Sequence, residues 1–438
     1  MEFYDDETSF EKNKFKKNVH FLKIFTKTID SCEIYSYFCM LQSFICDMSI
    51  SRITQFIQDL GEGKYTCFRT KKLSLDTSVS DELTYDDKKS SHAKKSDFAE
   101  SDDGRIHTVR ISDKLINSKP PIFSFFLDGS RHVCKIDDIA IGKKIFPFLA
   151  GQIIVGCCHR ENRNSFHKYA LRHQLVLSLP IDFNTDDDKN FCSYFLSQLN
   201  EHIKGFRYVQ ERGLSFSNVL LYKTDGGDSS ESDKDKFKNR AVAAIQSEMT
   251  DDEQRLVAQL CAENRLDDEN FLLKDGSIEY NPRYSNLSDA EWNLMRANYQ
   301  HVVGVSKSFD PDLLPNFEGN RLSRTICELK PFERTKAYRY KSEHTGREFA
   351  VWYVRIRNSN FRETNFSDVV KCEMVISNNG DFISTELIDT ISANIIREAY
   401  PVCFGQDSRW ANHLYPVFLT ETFCKSNYIN SDIFINLF

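Results

Sequence analysis

Residues 120–131 read Pro120-Pro-Ile-Phe-Ser-Phe-Phe-Leu-Asp-Gly-Ser-Arg131. The run from Ile122 to Leu127 is almost wholly apolar, which is typical of a strand buried on both faces of a sheet. We predict that this strand ends in a turn at Asp128, because Asp and Gly both favour turns. The pattern returns in Phe271-Leu-Leu-Lys-Asp-Gly-Ser277, which contains Asp275. Each Asp then stands at the carboxyl end of a buried strand, where open α/β sheets place their ligands.

The composition indicates a folded protein rather than a disordered or membrane-spanning one. The chain has 438 residues, 57 Lys and Arg against 64 Asp and Glu, and a formal net charge of −7. Hydrophobic residues make up 40% of the chain, which is enough to form a buried core. We expect no transmembrane helix and no signal peptide, because no apolar run is long enough and the chain starts with acidic residues. The 13 Cys lack metal-site spacing and favour a reduced, cytoplasmic location.

Composition also divides the chain into three regions. Residues 1–70 are a predicted N-terminal helical region. Its apolar segment 34–45 is a candidate dimer or docking surface, and the alternative is that it folds back onto its own domain. Residues 71–119 are a predicted polar linker or loop, most mobile across 76–103, where charged residues and Ser dominate. Residues 120–438 form the main domain, with a polar insertion near residues 223–240 that we interpret as a solvated loop.

Hydrophobic periodicity assigns the elements of the main domain. Further strands are predicted at 153–157, 174–179, 218–222, 271–274, 301–305, 349–356 and 369–376, and helices at 190–203, 241–261 and 386–398. This order predicts a mixed α/β sheet with flanking helices.

The helix predicted at 241–261 supplies a third acidic candidate. Apolar residues such as Ile245, Met249 and Leu256 recur at helical spacing and define a buried face. Glu253 lies on that face, where a charge is costly unless it is paired or bound to a metal. Glu248 lies beside the same face and stays the rival candidate. Exposure at a gap in the packing is the alternative for Glu253.

The three acids together predict a metal site. Asp128, Glu253 and Asp275 would repel one another unless a cation were present, and oxygen ligands select hard ions such as Mn²⁺ or Mg²⁺. We therefore expect Asp128, Asp275 and one helical Glu, Glu253 rather than Glu248, to lie close enough to share a cation. One or two such ions can promote phosphodiester hydrolysis. An Asp on the first strand, a Glu on the first helix and an Asp on the fourth strand is the pattern of the ribonuclease-H-like (RNase-H-like) fold. The alternative is that both Asp-Gly-Ser segments are simply turns.

In their order along the chain, these motifs resemble the NurA nuclease family. The resemblance covers roughly residues 120–425 and rests on 127–131, the helix carrying Glu253, 272–278 and 303–308. Tyr400-Pro401 and Asn412-His413 resemble the Tyr-Pro and Ala-His elements that close the family's sequences, although Asn412 stands where the family has Ala. The resemblance implies an RNase-H-like, Mn²⁺-dependent DNA nuclease that acts as a homodimer with the hexameric HerA ATPase. It also implies that His413 completes the site as a metal ligand or proton donor.

Two basic residues near the strand ends are candidate DNA contacts. Arg131 follows the first Asp-Gly-Ser, and its guanidinium fork suits a phosphate. Lys307 follows the strand predicted at 301–305; an ordinary solvated position is the alternative for both residues. The chain has no GxxxxGKS/T phosphate loop, so an ATPase motor would have to be a partner. We expect a metal-dependent deoxyribonuclease for DNA end processing or anti-phage defence. The alternative is a non-catalytic RNase-H-like scaffold that binds an ATPase.

Overall fold

The computed structural model describes residues 52–68, 70–75, 98–101, 108–117, 121–162, 165–184, 190–224, 233–279, 297–311, 322–342, 347–358, 364–378, 380–403 and 410–438. The apolar segment 34–45 lies outside these residues, and so does most of the segment 76–103. Where the structure describes the chain, no helix is long and apolar enough to cross a membrane.

The described chain contains both strands and helices. The strands are β1 (Tyr65–Phe68), β2 (Leu73–Ser74), β3 (Thr108–Arg110), β4 (Phe123–Ile141), β5 (Lys144–Asn162), β6 (Ser165–Pro180), β7 (Phe216–Tyr222), β8 (Phe271–Asp275), β9 (Val302–Ser306), β10 (Glu333–Thr335), β11 (Tyr338–Lys341), β12 (Glu348–Arg355) and β13 (Val369–Val375). The α-helices are α1 (Ile53–Leu60), α2 (Asp113–Ile116), α3 (Phe191–Ile203), α4 (Arg207–Arg212), α5 (Asp233–Ala262), α6 (Leu322–Glu328), α7 (Thr385–Glu398), α8 (Tyr415–Ser426) and α9 (Ser431–Asn436). Short 3-10 helices occupy Ile181–Phe183 and Trp410–Asn412.

These strands form one large mixed sheet. Its main path runs β3-β10-β12-β13-β9-β8-β4-β5-β6-β7, with β1 and β2 paired to β4 and β11 paired to β12. Strands β4, β5 and β6 are antiparallel neighbours, whereas β8 runs parallel to β4 and β9 runs parallel to β8. The prediction of a mixed α/β sheet with flanking helices is confirmed. The RNase-H-like assignment is a finer statement and stays a proposal.

Strand β4 continues through the first Asp-Gly-Ser segment, so the prediction of a turn at Asp128 was wrong. The antiparallel ladder with β5 keeps going and sets Asp128 opposite Gly156. The parallel ladder with β8 ends one residue earlier, at Leu127 opposite Lys274. Asp128 therefore lies beside the end of β8 while its own strand runs on.

The second Asp-Gly-Ser segment does form the predicted turn. Strand β8 ends at Asp275, and Gly276 has a φ angle of 81°. That left-handed conformation favours glycine, because a side chain would clash with the backbone. The turn therefore fixes the direction in which the chain leaves Asp275.

Two segments predicted as polar loops are partly ordered. Helix α5 begins at Asp233, so the second half of the insertion near 223–240 is helical rather than a loop. Within the predicted linker 71–119, Ala99 and Ile111 are buried in the core, and Glu100 forms a 3.0 Å ion pair with Arg334. The average composition of the linker concealed these short packed stretches.

The described end of the predicted N-terminal region also belongs to this core. The backbone N–H of Ile53, at the start of α1, donates to the Leu437 carbonyl at 3.1 Å, close to the last residue of the chain. Ile53 and Ile57 are buried together with residues of α3 and α9. In the described residues α1 is therefore continuous with the main domain.

Different helices cover the two faces of the sheet. Leu127 packs with Ile245 of α5 on one face, which we call the α5 face. Phe126 packs with Val417 of α8 on the opposite face, which we call the α8 face. Successive strand residues point to opposite faces, so Asp128 lies on the same face as Phe126.

Candidate metal centre

Charged side chains from three neighbouring strands meet on the α8 face. Asp128 lies on β4 beside the end of β8, Asp275 is the last residue of β8, and Lys307 follows β9. Strands β4, β8 and β9 are adjacent and parallel, so these positions reach the same edge of the sheet. The Lys307 ammonium bonds the Asp275 carboxylate at 2.9 Å.

Helix α8 adds a third carboxylate to this edge. Asp128, Asp275 and Glu421 each offer an oxygen, and the three oxygens lie within 4.8 Å of one another. Lys307 lies beside them, with its Nζ 3.4 Å from Glu421 Oε2. The expected closeness of Asp128 and Asp275 is confirmed. A compact group of buried and half-buried carboxylate oxygens fits the needs of a metal ion, because each oxygen can donate electron density and the ion offsets their repulsion.

Glu421 was absent from the sequence prediction. It lies in the apolar stretch Phe418-Leu-Thr-Glu-Thr-Phe-Cys424, three residues after Phe418 and three before Cys424. This is the same signal that singled out Glu253, namely a carboxylate within a buried helical pattern. The signal was therefore present in the sequence.

Burial and mutual repulsion shift the pKa values of this group. Burial and the Asp275 charge raise the pKa of Asp128 well above its ordinary value, although Lys307 opposes them. Burial also works against the charged form of Lys307, but Asp275, Glu421 and Asp128 outweigh it and raise the pKa of Lys307. For Glu421, burial is outweighed by Lys307 and by its hydrogen bond from Lys425, and the pKa falls to about 2. The neighbouring lysines thus stabilise the ionised form of the clustered carboxylates.

Glu253 reaches the same edge from the α5 face. Its Oε2 lies 3.1 Å from Lys274 Nζ, and burial raises its pKa although Lys274 opposes this. A Cβ atom at Gly129 would collide with the Glu253 carboxylate. Gly129 and Lys274 face α5, whereas their neighbours Asp128 and Asp275 face α8. Glu253 therefore approaches from the opposite face and is not among the three mutually close oxygens, although the Asp275 charge also helps to raise its pKa.

Glu248, the rival on the same helix, makes different contacts. Asn218 of β7 donates a hydrogen bond to Glu248 at 3.3 Å, and Arg255 lies 3.5 Å from it. The side chain is 3% exposed and is not among the residues that line the cleft at the strand ends. Its buried charge is therefore accounted for by neighbours on α5 and β7.

A cleft of about 450 Å³ opens along this edge between the two faces. Its walls include the Asp128 and Asp275 carboxylates, the Glu253–Lys274 pair and Lys307, together with hydroxyl groups of Ser277, Ser306 and Ser308. The lining is rich in charged and hydroxyl groups, so the cleft suits a polar, charged ligand better than an apolar one.

His413 packs beside α8 rather than among the three oxygens. It is buried, its ring meets the Phe418 ring edge-on at 5.9 Å, and it helps to lower the pKa of Glu421. The group of mutually close ligand atoms does not include it. The Arg357 guanidinium donates to its backbone carbonyl at 2.8 Å and so anchors this segment.

The two predicted DNA contacts occupy different environments. Lys307 is 8% exposed and bonds carboxylates, so it is not the solvated loop lysine of the alternative interpretation. Arg131 is half-buried, and its Nε donates to Gln246 Oε1 at 2.5 Å. Because Gln246 lines the cleft, Arg131 lies at its margin.

We expect Gly129→Ala to destabilise the protein, because the added methyl group would overlap the Glu253 carboxylate and come within 3.2 Å of Met249. Overpacking of this kind costs about 1–3 kcal/mol, which urea unfolding would measure. Gly151→Ala is the matched control on β5, since its Cβ would meet methyl groups of Ile245 at 3.1 Å and of Val176 at 3.4 Å and would not overlap a carboxylate. Equal losses in the two variants would contradict the close approach at Gly129.

Comparisons with known proteins give a distant structural likeness and no sequence match. No family model matches the chain, and no curated protein matches it. The crystal structure of the NurA nuclease from Sulfolobus solfataricus is similar to this chain with a TM-score of 0.33 and 11% sequence identity. The similarity covers 74% of this chain and 87% of that one. A likeness of this size leaves the function to be argued from the site itself.

Proposed function

We propose that this protein is a metal-dependent nuclease that holds Mn²⁺ or Mg²⁺ through Asp128, Asp275 and Glu421. The observation that carries the proposal is the group of three carboxylate oxygens within 4.8 Å of one another, at the carboxyl edge of parallel strands. Oxygen-only donors suit hard divalent ions. Such an ion, when bound, polarises a phosphoryl oxygen and lowers the pKa of water.

The other residues of the cleft would orient and protonate the reactants. In phosphodiester hydrolysis the water oxygen bonds to phosphorus, the bond to the leaving ester oxygen breaks, and one water proton must be removed. Glu253 is suited to accept that proton, because burial raises its pKa and Lys274 holds its carboxylate at the cleft wall. From the family resemblance, His413 is the candidate donor of a proton to the leaving oxygen. Arg131 would contact a phosphate at the margin of the cleft.

The order of the elements supports an RNase-H-like core. Three antiparallel strands, β4, β5 and β6, are followed by the long helix α5 and by β8, which returns parallel to β4. Asp128, Glu253 and Asp275 then lie on the first strand, the helix and the fourth strand of that core. The elements α3, α4 and β7 between β6 and α5 depart from the simplest form of the fold.

DNA as substrate, a homodimer and a HerA-like ring ATPase come from the family resemblance. The net charge of −7 agrees with a need for such a partner, because neutralising phosphates with basic residues supplies most non-specific DNA affinity. Light scattering of the full chain, alone and with a ring ATPase, tests the assembly. A monomer that degrades long duplex DNA processively by itself would refute the need for the motor.

Cleavage of DNA by the full chain should require Mn²⁺ or Mg²⁺ and stop in EDTA. The physical reason is that the buried carboxylates need a cation both to coexist and to bind a phosphate. The assay is DNA digestion with each ion and with EDTA, and thermal unfolding with the same additions. Digestion that persists in EDTA would overturn the proposal. No digestion and no stabilisation by either ion would favour the non-catalytic scaffold.

Glu421→Gln should weaken Mn²⁺ binding more than Glu253→Gln does. We expect at least a roughly tenfold loss for Glu421→Gln, since even residues that only orient metal ligands cost about 10–100-fold in affinity. Glu253→Gln should lower the rate of cleavage while changing Mn²⁺ affinity less. Calorimetric titration with Mn²⁺ measures the affinity of each variant, and DNA digestion measures the rate of cleavage. Glu248→Gln on the same helix is the control. A larger affinity loss in Glu253→Gln would make Glu253 the ligand that the sequence predicted.

A further inference from the structure

We infer that the group of Asp128, Asp275 and Glu421 holds one divalent cation rather than two, and that the Lys307 ammonium supplies the positive charge that a second would bring. The inference rests on the proposed function, because it concerns how the same carboxylates are balanced. A one-ion site and a two-ion site differ in the number of metal ions bound per chain, which can be measured.

The charges at the strand ends form two groups. On the α5 face, Glu253 and Lys274 pair at 3.1 Å and neutralise each other. On the α8 face, Asp128, Asp275 and Glu421 lie around the buried Lys307 ammonium, and the exposed Lys425 also pairs with Glu421 at 2.7 Å. Three carboxylates against two ammonium groups leave a balance of −1 when all five groups are ionised. One divalent cation changes this balance to +1, whereas a second would leave an excess of +3 at a largely buried site, which is costly without further ligands.

The geometry also provides few ligands for a second ion. In two-ion sites the metals lie about 3.5–4 Å apart, are bridged by shared carboxylates and need ligands of their own. The fourth nearby carboxylate, Glu253, bonds Lys274 on the other face. The remaining acids of the cleft wall, Asp251 and Glu279, do not belong to the group of mutually close ligand atoms.

Lys307 already places a positive charge among these carboxylates. Its Nζ lies between two of the three carboxylates, 2.9 Å from Asp275 and 3.4 Å from Glu421. Its backbone is fixed as well, since the buried Asn412 side chain donates to the Lys307 carbonyl and to the Val369 carbonyl, each at 2.9 Å. An ammonium is a compact charge with three donors, so it can bond an ester oxygen as negative charge develops there.

The test counts Mn²⁺ ions per chain in the full-length protein, by equilibrium dialysis with metal analysis and by calorimetric titration. We expect one ion in the wild type. Lys307→Gln should bind a second ion, or bind the first at least about tenfold more tightly, because the internal cation no longer competes. Lys307→Arg keeps the charge and should still bind one. Lys204→Gln removes a positive charge from an exposed helix end and is the control, since its side chain is 65% exposed.

The outcomes distinguish a failure of the one-ion inference from a failure of the proposed nuclease function. Two ions in the wild type would overturn the inference while leaving a metal-dependent nuclease intact. No ion in the wild type would refute the proposed function itself. Lys307→Gln with one ion at unchanged affinity would also overturn the inference. If Lys307→Gln does not fold, as circular dichroism would show, the ion counts of the wild type and of Lys307→Arg still decide.

Discussion

Asp128→Asn and Asp275→Asn should each lower metal-dependent DNA cleavage by about 10³-fold or more. Each change removes one of three clustered carboxylates, and a metal ion contributes several kcal/mol of transition-state stabilisation, at about 1.4 kcal/mol for each factor of ten. Asparagine preserves the size of the side chain, so the loss would be chemical rather than structural. Initial rates of DNA digestion at saturating Mn²⁺ measure the effect.

Asp128→Asn should also stabilise the metal-free protein, which separates loss of function from loss of fold. Burial and Asp275 raise the pKa of Asp128, so its ionised form is disfavoured in the folded state. A raised pKa contributes stability below the ordinary Asp value, and that contribution is lost as the pH rises through the folded value. At neutral pH the wild type therefore bears a cost that asparagine avoids. Thermal unfolding in EDTA should show a higher midpoint for the variant.

Asp138→Asn provides the matched control for this pair of measurements. Asp138 lies on the same strand, β4, but pairs with Lys135 at 2.9 Å away from the cleft. We expect its cleavage rate to stay close to the wild-type rate. Retention of a tenth or more of the activity by both Asp128→Asn and Asp275→Asn would contradict a metal centre at these residues.

The sequence predicted the two Asp residues because each follows a short, almost wholly apolar run. Such runs identify buried strands, and residues just beyond them lie at the carboxyl edge of a sheet. The same local reasoning misplaced the end of β4. Whether a strand continues past Asp128 depends on β5, whose pairing continues, and not on β8, whose pairing stops. A single segment does not contain that information.

The third carboxylate of the cluster was predicted to be Glu253, whereas in the structure it is Glu421. The apolar pattern of the helix placed Glu253 toward the strands, and the structure brings it to the cleft. The apolar pattern did not show, however, which face of the sheet this helix covers. Alternation along β4 puts Gly129 toward α5 and Asp128 away from it, so the carboxylate that joins Asp128 must come from the opposite layer. That layer is α8, whose position follows from packing over the whole chain.

The support of the Asp275 turn leads to the second large effect. Glu373 of β13 is 5% exposed and accepts hydrogen bonds from Ser277 Oγ at 2.7 Å and from the Ile278 N–H at 2.9 Å. It also bonds the buried Lys371 ammonium at 2.9 Å. Burial alone would raise the pKa of Glu373, but Lys371 and these hydrogen bonds lower it. Glu373 thus joins the neighbouring strand to the residues that follow Asp275.

Glu373→Ala should destabilise the protein by about 3–5 kcal/mol, because breaking a buried ion pair leaves a buried charge uncompensated. The turn after β8 would also lose two acceptor contacts, so we expect weaker Mn²⁺ binding in the variant that still folds. Urea unfolding in EDTA measures the first effect, and Mn²⁺ titration measures the second. Glu398→Ala is the comparison, since Glu398 forms a buried ion pair with Arg160 at 2.6 Å that does not involve the residues of the cleft. It should lose stability but keep its Mn²⁺ affinity.

The contribution of Glu373 should also have a defined pH dependence. Because the folded state lowers its pKa, the stability that it adds is present above the ordinary Glu value and is lost as the pH falls through the folded value. Glu373→Gln keeps an acceptor oxygen without the charge, so its stability deficit relative to the wild type should be largest at neutral pH. The deficit should shrink in acid, provided that unfolding stays two-state. A deficit that is the same at neutral and acidic pH would show that Glu373 acts through packing alone, and not through its charge on Lys371 and the turn.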